Sequence, residues 1–161
     1  MIDVVKIASY ICKRYREDTH TEIDEMKLHK LLYFSQRESF IRTGHPMFKE
    51  QFAAWKYGPV IVKVRTLYKA NKLDLMPTEE ELVPFRDSLD FVFKSYASKD
   101  AWTLSILTHG ESSWKNAREG FSPDAHCDVL LNIDDIKKDA DRIKMRRFYF
   151  EKVLPQIIEN K

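Results

Sequence analysis

Residues 24–44 read DEMKLHKLLYFSQRESFIRTG, and the reading of this stretch decides the fold. Leu28, Leu31, Leu32 and Ser35 recur at spacings of three and four, one face of an α-helix. Asp24 supplies a carboxylate that can accept a bond from an orphan backbone N–H of the first turn, and Gly44 with Pro46 just beyond provides the stop. Met26, Tyr33, Phe34, Phe40 and Ile41 widen the apolar stripe past the arc of a one-sided surface helix. The stretch therefore predicts a central helix contacted on more than one side. Lys27 and Lys30 are assigned to its solvated side.

Working outward, Val4, Ile7, Ala8, Ile11 and Tyr15 predict an amphipathic helix of about four turns ahead of it. Behind it, MFKEQFAAWKY (47–57) shows weak alternation and predicts a short extended piece, a hairpin around residues 47–57, ending where Gly58-Pro59 breaks the chain. Pro59 suits a first helical turn, and Val60, Val64, Leu67 and Tyr68 have helical spacing, although the β-branched Val60, Ile61, Val62 and Val64 would also serve a strand. The Pro/Thr/Glu stretch 74–81 reads as a solvated connection. Pro84 then leads a helix through Phe85, Leu89, Val92 and Tyr96, Asp100 caps another that runs to His109, and a short segment spans 111–118. A loop follows from Gly120 to Leu131, and Ile133, Ile136, Ala140 and Ile143 mark a last long helix. The fold class is mainly α: one domain over residues 1–161, six or seven helices, with residues 138–161 a helical extension.

Composition excludes several alternatives. The 161 residues are 43% hydrophobic and 32% charged with 4 Gly, so a core forms without disulfides or metals, and disordered or collagen-like chains are ruled out. No apolar run approaches the ~20 residues that span a bilayer, and the amino terminus carries no cleavable leader, so the chain is expected in the cytoplasm. Cys12 and Cys127 stand in no metal-binding or disulfide pattern and are expected to be buried, inert thiols. His20, His29, His45 and His126 form no ligand face, and neither metal nor cofactor is expected.

Three ordered blocks, MKLHKLLYFSQ (26–36), MFKEQFAAWKYGPV (47–60) and LSILTHGESSW (104–114), resemble the Panacea, or SocA-like, antitoxin domain. The likeness extends over residues 1 to about 137. Its motif falls here on Leu28, Leu31, Leu32, Tyr33, Phe48, Trp55, Gly58, Pro59, His109 and Trp114. The chain departs from the pattern at Ser113, where proline is common, at Arg65, where an aromatic is frequent, and in a longer, more basic tail after Ile136. The resemblance implies a helical, phage-associated antitoxin, encoded beside a toxin, that neutralises this partner by binding it. One branch is instead similar to a proteolytic adaptor that delivers a toxin to a Clp-type ATP-dependent protease. Homo-oligomers are compatible with either.

An antitoxin needs a rigid surface with a few aromatic or arginine anchors. Trp55, Tyr57, Arg65, Tyr68 and Lys69, around the Gly-Pro turn, are the candidates; Trp55 and Tyr57 could equally be core residues that fix the turn. Residues 56–72 carry a net charge of +5 and residues 73–90 a net of −5, either a steering pattern or simply solvated faces. Lys63, Arg65 and Lys69 near Tyr68, with Lys144, Arg146 and Arg147 beside Phe148 and Tyr149, would also suit a nucleic acid, a lower-ranked reading for a chain of net charge only +2. Thr108, His109, Glu111, Ser112 and Ser113 bring a histidine, a carboxylate and hydroxyls together in sequence, but no nucleophile elbow, phosphate loop or HExxH accompanies them, so no catalytic residue is assigned and the chain is expected not to be an enzyme. His109 is expected to cap the carbonyls of its helix and Trp114 to enter the core.

Overall fold

The computed structural model describes residues 1–159. Helix α1 (Val4–Thr19) starts on Asp3, whose carboxylate accepts from the Val5 N–H at 2.8 Å, and ends at His20 in the left-handed region. Helix α2 (Glu25–Thr43) starts on Asp24, which accepts from the Lys27 N–H, and stops at Gly44 with φ 75°. Both ends of α2 lie where the capping residues put them, and it is buried on every side from Lys27 to Ile41. It packs against α1 and, among the elements that follow, against the hairpin and the helices over 86–96, 101–109 and 133–148.

The hairpin sits later than residues 47–57. Strands β1 (Ala53–Trp55) and β2 (Gly58–Val60) pair antiparallel, Trp55 opposite Gly58 and Ala53 opposite Val60, so Gly58-Pro59 lies within the second strand instead of breaking the chain. The backbone of Met47 and Phe48 has another partner. The buried Gln36 amide accepts from Met47 N–H and Phe48 N–H and donates to the Phe48 carbonyl, satisfying groups that a strand neighbour would otherwise take. Helix α3 (Val62–Lys69) begins three residues after Pro59, leaving Val60 to the strand as its branched side chain prefers. Part of the expected solvated connection is helical: Thr78 and Glu81 form a capping box that starts α4 (Glu79–Leu82), and a 3₁₀ turn (Val83–Phe85) leads into α5 (Arg86–Tyr96).

Asp100 caps α6 (Ala101–His109), and α7 (Ser112–Ala117) follows at once. The start of α7 is satisfied from another element, since the buried Asp139 accepts from the N–H groups of Ser112 and Ser113, both at 2.9 Å. Asp139 belongs to α8 (Ile133–Phe148), which buries Ile136 and Ala140 while Ile133 is exposed. A π-helical turn (Tyr149–Val153) and α9 (Leu154–Glu159) continue the chain, so the expected tail extension is helical to Glu159, and residues 160–161 lie outside the described residues.

Lys27 and Lys30 overturn the sequence reading: both are buried. Five polar side chains of α2 join neighbouring segments to the central helix. Lys27 donates to the Ala97 carbonyl after α5 and to Tyr15 Oη on α1, Lys30 to the Pro59 carbonyl of β2, and Gln36 holds residues 47–48. Arg37 pairs with Glu111 ahead of α7, and Glu38 pairs with Arg147 of α8 at 2.9 Å. Apolar surface supplies the bulk of the driving force for burial, while these bonds fix which element lies where. Both cysteines are buried, and burial pushes the Cys12 thiol up to about 11, matching an inert thiol. Among the described residues, no helix is long and apolar enough to cross a membrane.

Candidate functional site

The hairpin turn is held by three side chains that reach its outward carbonyls. Ser105 of α6 donates to the Tyr57 carbonyl at 2.7 Å, Trp114 Nε1 of α7 to the Trp55 carbonyl at 3.0 Å, and the buried Arg118 to the Ala54 carbonyl at 2.8 Å. Arg118 also reaches the carbonyls of Ser122, Pro123 and Ala125, pinning the following loop beside the hairpin. His109 stacks flat on Trp114, centroids 4.1 Å apart. It is therefore not an imidazolium cap: burial, then Lys30 and Arg118, lower its pKa, and its proton-bearing form is disfavoured. Trp114 is half-buried against the core edge.

So positioned, the turn forms one wall of a cavity of about 410 Å³, completed by the start of α2 and by α3. Of the five anchors expected from the sequence, Trp55, Tyr57 and Arg65 line this cavity. The other two do not: Tyr68 points its hydroxyl away, onto the Ile23 carbonyl at 2.8 Å, and Lys69 stands exposed on α3. Trp55 is half-buried, its indole N–H on Asp128 and the Arg65 guanidinium over its ring, 5.0 Å from the centroid. Arg65 pairs with Glu25 at 2.9 Å, and Lys56 with Asp124 at 2.8 Å.

The cavity floor was not visible as a site in the sequence. It holds His29 and Lys30, each 1% exposed. Lys30 Nζ donates to one carbonyl, that of Pro59, at 3.3 Å, and has no carboxylate partner within ion-pair distance among the described residues. Burial lowers its pKa to about 7, against a smaller opposite pull from Asp24. His29 Nδ1 accepts from the Ile61 N–H at 3.3 Å, which leaves the ring proton on Nε2, and Nε2 is buried without a partner. Burial first, then Lys30 and Arg65, push this imidazole down to about 3, so the ring is neutral. Gly58 makes room for the lysine: at φ 107° it tolerates a backbone that side chains rarely adopt, and a Cβ there would lie 2.6 Å from Lys30 Cε.

Beside the mouth, α6 presents Trp102, 58% exposed, and one turn on Ile106, 69% exposed. The Trp102 ring meets Tyr57 edge to face, centroids 5.3 Å apart. The sequence does carry the signal for this pair. Trp102 and Ile106 are four residues apart, on the face opposite the buried Leu104, Ser105 and Thr108, where a surface helix normally places polar groups.

The basic patches are partly neutralised within the fold. Lys63 faces Asp3 and Glu50, and in the tail Arg147 makes two bonds to Glu38 while lying over Phe91. The acids of residues 73–90 find other partners too, Glu81 with Lys6 and Asp90 with Arg14. In the histidine and hydroxyl cluster, the Ser113 hydroxyl meets Tyr33 Oη at 2.9 Å and Glu111 meets Arg37, while His109 faces Trp114. Those side chains do not converge on a common point.

The family described as Antitoxin SocA-like, Panacea domain, matches residues 28–115, more than half of the chain. The chain belongs to this family. The matched span of the Panacea domain takes in nearly all of α2, the hairpin and α3 to α6, the elements that build the cavity and its mouth, while α1 and α8 flank it. No curated protein and no solved structure matches the chain significantly.

Proposed function

We propose that this Panacea-family chain neutralises a protein toxin by binding it directly, through the aromatic face formed by Tyr57, Trp102 and Ile106 at the cavity mouth. Membership of an antitoxin family supports a toxin as the partner. The observation that supports this particular surface is the exposed Tyr57–Trp102 pair on a turn tied by Ser105, Trp114 and Arg118. Large aromatics already held in place lose little conformational freedom on association, and such residues carry most of the binding energy in protein interfaces.

Neutralisation of this kind is stoichiometric and needs no other factor. Co-expression with the toxin encoded beside it, in cells with and without Clp protease, tests the mechanism by colony counts. The expected outcome is equal protection in both strains. Protection lost in the protease-deficient strain assigns the chain to the adaptor class instead. A second experiment examines the basic residues outside the cavity: reversing the charge of Lys69 is expected to change protection less than about threefold, since an exposed charge at the edge of an interface contributes little affinity.

A further inference from the structure

We propose that the cavity between the start of α2, the hairpin and α3 is a binding site for a carboxylate joined to a flat apolar group, the carboxylate seated on Lys30 and His29. Among the described residues, one buried donor at its floor has no acceptor and a second is only partly used. Lys30 carries three N–H bonds and uses one on the Pro59 carbonyl, while His29 Nε2–H meets nothing. Buried polar groups without partners are rare in folded proteins and mark places where something else completes them. The charge balance points to a monoanion. Arg65 is matched by Glu25 and Lys56 by Asp124, which leaves Lys30 as the cavity's unmatched cation among the described residues. The walls supply the apolar part: Met26, Val60, Trp55 and Tyr57 surround a space within the range of small-ligand sites.

Lys30 is held there by design of the backbone. Gly58 is the residue whose missing side chain leaves room for the lysine stem, so the turn that displays Tyr57 also admits the cation beneath it. The carboxylate could arrive on a free small acid or on a peptide chain end; the recognition chemistry is the same.

The protein's own groups set the pH dependence. Lys30 is faced by Asp24 and His29 of its own helix and by His109 of α6, with Arg65 of α3 acting on His29; burial lowers the pKa of both histidines, and the Asp24 carboxylate pulls the Lys30 pKa upward. Carboxylate binding needs the ammonium, so affinity is expected to be steady below pH 7 and to fall about tenfold per pH unit above it.

Calorimetric titration of the full chain at pH 6 tests the proposal, with indole-3-acetate, its neutral amide, and an acetylated dipeptide ending in tryptophan with a free carboxylate as probes. Indole-3-acetate is expected to bind at least tenfold tighter than its amide, and Lys30→Met, checked for native circular dichroism, to remove that preference. Binding by the dipeptide as well identifies a chain end as an accepted source, and binding by indole-3-acetate alone restricts the site to free acids. Equal affinity for acid and amide, an unchanged preference in Lys30→Met, or no binding of any acid would overturn the proposal. Toxin neutralisation is not used as a readout, so failure here leaves the proposed function standing, and the reverse also holds.

Discussion

Replacing Lys30 by methionine is expected to stabilise the protein by about 3 kcal/mol at pH 6. The side chain is buried, has one long hydrogen bond and lacks an ion-pair partner. Its pKa falls from 10.5 to about 7, chiefly through burial, which corresponds to on the order of 5 kcal/mol acting against the charged form before relaxation is allowed for. The sign follows from comparing the two states. Below pH 7 lysine is protonated both folded and unfolded, and the folded state bears the full cost. Between pH 7 and 10.5 the folded state is neutral while the unfolded chain remains charged, so the cost shrinks as pH rises. The gain from Lys30→Met should accordingly be largest below pH 7 and fade toward pH 10. Urea unfolding at pH 6 and pH 9.5 checks this. A loss of stability at pH 6 would mean that the fold itself matches the cation. A gain would identify Lys30 as a group that lowers stability where function requires it, as binding sites commonly do.

The opposite effect is expected at Arg37. Arg37→Ala should destabilise the chain by about 4 kcal/mol at pH 7 and lower Tm by roughly 10 °C. Burial is the largest single influence and works against the guanidinium charge, but Glu111 together with Tyr96 and Tyr33 more than offsets it, so the Arg37 pKa is raised and the side chain stays charged. Arg37 also donates to Tyr96 Oη at 2.9 Å and lies over the Phe34 ring. Removing it leaves Glu111 buried beside Asp139, with only the half-exposed Arg142, 3.4 Å away, as counterion. Burial already raises the Glu111 pKa, and loss of Arg37 raises it further, so protonation should relieve part of the penalty: the deficit relative to wild type is expected to shrink between pH 7 and pH 5. Thermal unfolding across that range measures it, and a deficit that does not depend on pH would place the loss in packing instead of charge.

These two residues also show where the sequence was legible. Caps and stops are local chemistry, so Asp24, Gly44 and Asp100 placed their helix ends correctly, and the breadth of the apolar stripe identified α2 as central. What could not be read was the fate of that helix's polar side chains. Lys27 and Lys30 look solvated because charged residues usually are, and their burial depends on carbonyls at Ala97 and Pro59, 70 and 29 positions away. The hairpin was displaced for a similar reason. Weak alternation in 47–52 is real, but the backbone of Met47 and Phe48 is taken by the Gln36 side chain and the Phe52 carbonyl by the Leu131 N–H, which no periodicity reveals. Trp55, Tyr57 and Arg65 line the cavity as neighbours around one turn, whereas the Tyr68 hydroxyl is taken by the Ile23 carbonyl, a partner 45 positions away that no local pattern shows. Trp102 and Ile106 were within reach of sequence reasoning, since they occupy the wrong face of an otherwise short surface helix.

The face around Tyr57 and Trp102 is proposed to bind a toxin without assistance. Titration of the purified chain into the purified product of the adjacent gene, with wild type and with Trp102→Ala of unchanged Tm, tests it most directly. The expected result is a stable complex for wild type and about 100-fold weaker binding for Trp102→Ala, the size of a central aromatic hot spot. A complex that Trp102→Ala leaves unaltered, or no complex between the two purified proteins, would contradict it.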